Sequence, residues 1–224
     1  MSGAKLAASI LSADFARLGE QVKLVEPYAD MVHVDVMDAH FVPPLTIGPV
    51  VVASLRSVSP LPLHCHLMIE RPEMLLEDFA KAGADMVTFH LEAAPDPDVV
   101  IAEARARGLR AGIAVNPDTP VEEAFAYLDR VDNLIVMSVR PGWAGQDFME
   151  EVLPKVEAAR KEIDRRGVTV DVEVDGGINE DSGRRCLAAG ASVLAVASSI
   201  FKASDPADAA RRLSLLARAG VEER

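Results

Sequence analysis

Ala82-Gly83-Ala84-Asp85-Met86-Val87-Thr88-Phe89-His90 holds the end of one element and the whole of the next. Gly83 stands where a helix C-cap belongs, because a residue without Cβ takes the left-handed conformation of that position freely. The apolar run over 84–90 reads as a buried strand, and the amphipathic stretches on either side, 73–82 and 97–107, read as helices. The Pro- and Asp-rich segment from Ala93 to Asp98 is a β-to-α connection rather than a domain boundary. Two echoes extend the pattern: Ala29-Asp30-Met31-Val32 matches Ala84-Asp85-Met86-Val87, and Ala189-Gly190-Ala191 matches Ala82-Gly83-Ala84. The Gly-Ala echo is better explained by a shared left-handed helix cap before a strand than by repeated units.

Working outward, strands are expected over 5–11, 31–36, 62–68, 84–90, 109–115, 133–139, 168–174 and 192–197. Helices are expected over 15–26, 48–57, 73–82, 97–107, 120–127, 149–166, 180–189 and 205–218. Eight β/α units match a closed parallel barrel, and the partly polar strand at 133–139 leaves a seven-unit open sheet as the alternative. No linker divides the chain, so 1–224 is read as one domain.

Half of the 224 residues are hydrophobic and 26% are charged, a balance that excludes a disordered chain; aromatics are 4%, so the core is aliphatic. The net charge is −12 and no basic stripe is present, which argues against nucleic acid or an anionic membrane as partner; any phosphate must be held locally. Cys65 and Cys186 lack metal-finger spacing and disulfide density, as expected of free thiols in a reducing cytoplasm. Met1 to Ala8 has no apolar targeting core, and no segment approaches the ~20 apolar residues of a membrane span, so a soluble, cytoplasmic protein is expected.

Because strand side chains have period two, His33 and Asp35 in Val32-His33-Val34-Asp35-Val36 share a face, as do His64, His66 and Met68 in the following strand. A single strand histidine also serves as a hydrogen-bonded core residue, but two such pairs ending adjacent strands point to ligands for zinc, manganese, iron or cobalt. Barrel chemistry sits at the C-terminal strand ends, which favours His33, Asp35 and His66. His64 is read as a satisfied polar residue lower in its strand, and His40 and His90 as supporting residues at most. Asp175 closes Asp171-Val172-Glu173-Val174-Asp175, and Gly176 and Gly177 open the next loop. With Gly142-Trp143-Ala144-Gly145 and Ala197-Ser198-Ser199, these make three small-residue loops able to present backbone N–H groups to a phosphate, or simply turns. Arg140 either adds charge there or lies on the surface. Asp35 and Asp175, on distant strands, suit proton removal from one face of a carbon and delivery to the other, beside a metal that stabilises an enediolate.

Over nearly its whole length the chain resembles the ribulose-phosphate 3-epimerase family. The resemblance runs through Ala8-Ser9-Ile10-Leu11-Ser12-Ala13-Asp14-Phe15, His33-Val34-Asp35-Val36-Met37-Asp38, Phe41-Val42-Pro43, Leu45-Thr46-Ile47-Gly48-Pro49, His66-Leu67-Met68, Met137-Ser138-Val139, Pro141-Gly142, Gly145-Gln146 and Asp175-Gly176-Gly177-Ile178. It implies a single-domain TIM barrel that interconverts D-ribulose 5-phosphate and D-xylulose 5-phosphate, self-associates as a homo-oligomer, and uses one divalent metal ion (Zn, Fe, Mn or Co). By the same resemblance His33, Asp35, His66 and Asp175 are the metal ligands and Asp35 and Asp175 the acid/base pair. Ser9 and His66 contact substrate, the loops at Gly142, Asp175 and Ala197 hold the phosphate, and Met37, Met68 and Met137 wall the centre.

The chain departs from the family pattern at Ala39, Pro44, Trp143, Ala144 and Ala197. Ala144 and Ala197 are expected to matter most, because a methyl group in a phosphate loop can crowd the anion or exclude a positive φ. Other readings stay open at this point: a 3-epimerase of another ketose phosphate such as D-allulose 6-phosphate, a non-catalytic sugar-phosphate binding protein, or a metal-dependent hydrolase or aldolase.

Overall fold

A computed structural model describes residues 3–219; residues 1–2 and 220–224 of the expected 1–224 domain lie outside the described residues. Eight parallel strands close into a barrel in chain order: β1 (Lys5–Ser9), β2 (Met31–Met37), β3 (Leu63–Met68), β4 (Met86–His90), β5 (Arg110–Val115), β6 (Asn133–Met137), β7 (Asp171–Asp175) and β8 (Val193–Val196). β1 pairs with β8 to complete it, so the seven-unit open sheet is set aside. The helices around it are α1 (Leu18–Val25), α2 (Pro49–Arg56), α3 (Leu76–Lys81), α4 (Pro97–Ala106), α5 (Leu153–Arg166), α6 (Glu180–Ala189), α7 (Ser198–Phe201) and α8 (Pro206–Ala219). This is a single-domain TIM barrel.

Gly83 has φ +87, and the N–H groups of Gly83 and Ala84 donate to the carbonyls of Ala80 and Phe79. Gly190 has φ +113, with Gly190 and Ala191 donating in the same way to Leu187 and Cys186. The repeated Gly-Ala is therefore one helix-ending motif used twice, each time delivering the chain to a strand.

Period two divides the barrel into an outside and an inside. Val32, Val34 and Val36 of β2 join Cys65 and Leu67 of β3, Val172 and Val174 of β7 and the helix side chains in one continuous aliphatic core. Each fully buried side chain of this kind contributes about 1.5–3 kcal/mol by leaving water. The alternate residues face the axis. Ala7, Met31, Val193 and Ala195 form an apolar cluster there, and polar side chains occupy the levels above. Gly112 makes this inner packing feasible, because a Cβ on it would run into Thr88 Oγ1 and come within 3.1 Å of Asn133 Cβ.

Three differences from the sequence reading have physical causes. The strand expected over 168–174 begins only at Asp171, because Gly167 at φ +68 ends α5 and the Val168 N–H still donates to Ile163 O. The helix expected over 120–127 is a 3₁₀ helix, Val121–Tyr127, whose inward residues Val121, Ala124 and Tyr127 recur at the three-residue period that suits that winding. The four-residue α7 falls outside the expected helices, being too short to show a periodic pattern. Among the described residues no helix is long and apolar enough to cross a membrane.

The loop after β2 is pinned by Asp38. Its Oδ1 accepts the N–H groups of His40 (2.8 Å) and Phe41 (2.9 Å), and its Oδ2 accepts that of Glu70 (2.8 Å). Ala39 N–H donates to Pro44 O at 3.0 Å, and this set of bonds holds Ala39 at φ +60. A side chain in that region costs about 1–2 kcal/mol. A39G relieves this cost, while the greater freedom of glycine in the unfolded chain offsets about 0.4–1 kcal/mol. The expected outcome is a rise in Tm of roughly 1–4 °C by calorimetry; a fall in Tm would contradict strain at this position.

Candidate active site

The site follows from register. Asp35 of β2 lies opposite His66 of β3, and one level lower His33 lies opposite His64. β1 and β8 separate β2 from β7, and β7 brings Glu173 and Asp175 to the axis from the other side. His33 Nε2 is 3.3 Å from Asp35 Oδ1, 3.5 Å from Asp175 Oδ2 and 3.4 Å from His66 Nδ1. His66 Nδ1 is 3.3 Å from Asp35 Oδ1 and 3.2 Å from Asp175 Oδ2.

Those separations carry chemical meaning. Nitrogen and oxygen donors about 2.0–2.2 Å from one tetrahedral ion lie roughly 3.3–3.6 Å from each other. The five spacings of 3.2–3.5 Å match that arrangement, and all four donor atoms lie within 4.8 Å of one another. Two imidazoles and two carboxylates suit a borderline divalent transition metal. The residues present fit a metal ion, and the four expected from the sequence are the four brought together.

Electrostatics point the same way. Burial, the largest influence on Asp35, Asp175 and Glu173, opposes their ionisation, yet the facing imidazoles hold all three below the usual carboxylate range. Burial also pushes His33 and His66 down. For His33 the Asp35 charge and the bonds to Asp175, Asp35 and Glu173 overcome it, leaving the group well above its ordinary value; for His66, bonds to Asp175 and Asp35 do so. Buried anions demand positive charge, and without a metal protons on these imidazoles supply it.

Supporting residues surround the cluster. Ser9 Oγ donates to Asp35 Oδ2 at 2.7 Å, so the hydroxyl assigned to substrate also orients the carboxylate. His90 stacks on His66 with Nε2 atoms 2.9 Å apart, and burial drives His90 down to about 4, so it stays neutral. His64 Nε2 meets Thr88 Oγ1 at 2.7 Å, in keeping with a polar core role. His40 lies in the Asp38 loop, its Nδ1 2.8 Å from Asp38 O, and Arg140 is on the surface, paired with Asp118 at 2.8 Å; neither reaches the cluster. Glu173 is not among the residues the sequence reading singles out. Its position two residues before Asp175 on one strand is the signal that places it on the same inward face.

Above the cluster opens a cavity of about 480 Å³, counting space open to solvent, with Ser9, Asp35 and Asp175 among its lining residues and Met37, Met68 and Met137 in its wall. His33 and His66 are fully buried and are not among its lining residues. The rest of the wall includes Gly142 to Gly145, Gly176, Gly177, Ala197 and Ser198, from the three loops expected to hold phosphate. Gly176 is at φ +116, and a Cβ on it would run into the Val139 side chain. Ala197 has φ −106 and Ala144 is not among the positive-φ residues, so neither alanine takes the left-handed conformation. The positive φ in a departing alanine is at Ala39 instead. Trp143 stands on the rim, 64% exposed, and Gln146 Nε2 ties its loop together by donating to Arg140 O and Trp143 O.

The profile of the ribulose-phosphate 3 epimerase family matches residues 5–201. The ribulose-phosphate 3-epimerase of Mycobacterium tuberculosis is 48% identical over 211 residues, covering 94% of this chain and 92% of the relative. That of Bacillus subtilis is 44% identical over 203 residues, covering 90% and 94%. Among solved structures, KGPDC from Streptococcus mutans has a TM-score of 0.74 at 20% identity, covering 96% of this chain and 98% of that one. A 3-hexulose-6-phosphate synthase has a TM-score of 0.72 at 22% identity, covering 95% and 99%. At those identities the structural likeness speaks for the barrel alone.

Proton competition at the cluster has a definite sign. His33 and His66 are raised above 6.5 in the metal-free protein and must be deprotonated to act as ligands. Zn(II) affinity, measured by chelator competition, is therefore expected to strengthen as pH rises through 6.5 and beyond, by up to ~100-fold per unit where both imidazoles carry protons. Affinity unchanged between about pH 6 and 8 would contradict this.

Proposed function

The chain belongs to the ribulose-phosphate 3-epimerase family, and on that premise we propose that it interconverts D-ribulose 5-phosphate and D-xylulose 5-phosphate, with Asp35 and Asp175 as the acid/base pair. One observation carries the assignment of roles. Two ionised carboxylates from strands on opposite sides of the barrel converge with His33 and His66 beneath one cavity.

Epimerisation at C3 breaks one C–H bond and forms another on the opposite face, with no change in oxidation state. One aspartate takes the C3 proton, leaving an enediolate across C2 and C3, and the other returns a proton from the far side. The reaction is reversible, so each serves as base in one direction and acid in the other. Ser9 holds Asp35 in orientation through its 2.7 Å bond. Ser138 holds the end of β7, its N–H and Oγ both donating to Asp175 O and its Oγ also to Gly176 O. His33, Asp35, His66 and Asp175 would hold the divalent ion, Zn, Fe, Mn or Co. When bound, that ion supplies Lewis-acid stabilisation of negative charge on the substrate oxygens. Met37, Met68 and Met137 give the cavity an apolar, adaptable wall. The loops at Gly142–Gly145, Gly176–Gly177 and Ala197–Ser198 take the phosphate through backbone N–H groups, which suits a chain of net charge −12.

We place the protein in the cytoplasm as a homo-oligomer. Two buried free thiols, Cys65 and Cys186, support a reducing compartment. The exposed apolar side chains of Leu45, Val50 and Met74 support self-association.

Proton NMR of D-ribulose 5-phosphate in D₂O tests the reaction directly. Metal-loaded protein is expected to introduce deuterium at C3 and produce D-xylulose 5-phosphate, with kcat/KM higher than for D-allulose 6-phosphate. D175N, checked for folding and metal content, is expected to lose about 10²–10⁴-fold in conversion of D-ribulose 5-phosphate to D-xylulose 5-phosphate. Undiminished epimerisation by D175N would overturn the two-carboxylate assignment.

Trp143, the single tryptophan, provides an independent readout of the phosphate loops. Its fluorescence is expected to change when a pentulose phosphate binds and to stay constant with the unphosphorylated sugar. Equal responses to both sugars would remove the loop at Gly142–Gly145 from phosphate binding.

A further inference from the structure

Glu173 is fully buried one level below Asp175, and its two oxygens point to different partners. Oε1 lies 2.9 Å from His33 Nδ1. Oε2 accepts from Asn133 Nδ2 at 2.8 Å, with His64 Nδ1 3.3 Å away. The reaction derived above uses none of these atoms.

Elementary hydrogen bonding turns this placement into a statement about His33. An ionised carboxylate only accepts, so the ring nitrogen that meets it must carry the proton. With the proton on Nδ1, the neutral ring keeps its lone pair on Nε2, the atom that faces His66 Nδ1, Asp35 Oδ1 and Asp175 Oδ2. The other tautomer would turn an N–H toward the cluster and a lone pair against the carboxylate. The rings of His64 and His66 meet His33 edge-on, with centroids 5.0 and 5.3 Å away, and leave it little room to reorient.

We propose that Glu173 is a positioning residue for the metal site: anchored by Asn133, it holds His33 in the Nδ1–H form with the Nε2 lone pair aimed at the ion. This rests on the four-donor metal reading above. A carboxylate behind a ligating imidazole fixes ring orientation and raises ligand basicity, and losing such a partner typically weakens metal binding 10–100-fold.

The test is Zn(II) affinity measured by competition with a chromophoric chelator, a readout independent of turnover. In E173Q the Asn133 Nδ2–H group captures the new amide oxygen and turns the amide N–H toward His33 Nδ1, which favours the wrong tautomer. E173Q is expected to bind Zn(II) 10–100-fold more weakly while keeping the parent's circular dichroism. Combining E173Q with N133D supplies an acceptor for the amide N–H, returns the amide oxygen to His33, and is expected to restore most of the affinity.

E173Q that binds Zn(II) as tightly as the parent, even if less heat-stable, would overturn the proposal and leave the epimerase reading intact. A double variant no better than E173Q would also overturn it. A parent that binds no Zn(II) would overturn the metal reading and this inference together. Should E173Q fail to fold, ¹⁵N-histidine NMR of the Zn(II)-loaded parent decides: a proton on His33 Nδ1 with Nε2 on the ion supports the proposal, and the reverse overturns it.

Discussion

Three carboxylates, Asp35, Glu173 and Asp175, converge near the barrel axis, largely shielded from bulk water, and every arrangement around them compensates negative charge. Removing such groups from water costs several kcal/mol each unless opposite charge and hydrogen bonds are close at hand. His33 and His66 provide the compensation as protonated rings or as the imidazole half of a metal site. The upward pull on both rings in the metal-free protein and the close fit of their donor atoms to a metal ion therefore have one origin. The same requirement separates the histidines by role. His90, pushed down to about 4 by burial, and His64, also pushed down by burial, add no positive charge and serve as neutral neighbours.

A closed parallel barrel is well suited to this concentration of charge because its two faces are independent. The outward valines and leucines bury against the helices in one aliphatic core. That packing carries the stability of the fold, so the inward face can hold a polar layer that would not support a core by itself. Small residues adjust the interior locally: Gly112 leaves the space that Thr88 needs to reach His64, and Gly176 lets β7 turn past Val139 immediately after Asp175.

Much of this was legible along the chain. The alternation in His33-Val34-Asp35 and His64-Cys65-His66, together with Asp175 before two glycines, places each ligand on an inward strand end, because period two is a local property of the backbone. Glu173 shares that periodicity with Asp175, but its importance comes from partners on β2, β3 and β6, whose distances no local pattern encodes. The loop alanines show the same limit. A methyl group matters where φ is positive, and the bonds of Asp38 impose that φ on Ala39, while Ala144 and Ala197 avoid it. Val121–Tyr127 winds as a 3₁₀ helix because three inward side chains recur every third residue, a distinction too fine for a seven-residue pattern.

Local pattern along the chain sets the eight-unit alternation, the two cap glycines before strands, the aliphatic core and the shared faces of His33 with Asp35 and of His64 with His66. These follow from hydrophobic period and backbone permissiveness, which act over a few residues. Tertiary contacts alone place β7 across the axis from β2 and Glu173 behind His33. Those relations depend on barrel closure and strand register, which set distances between residues as far as 140 positions apart in the chain.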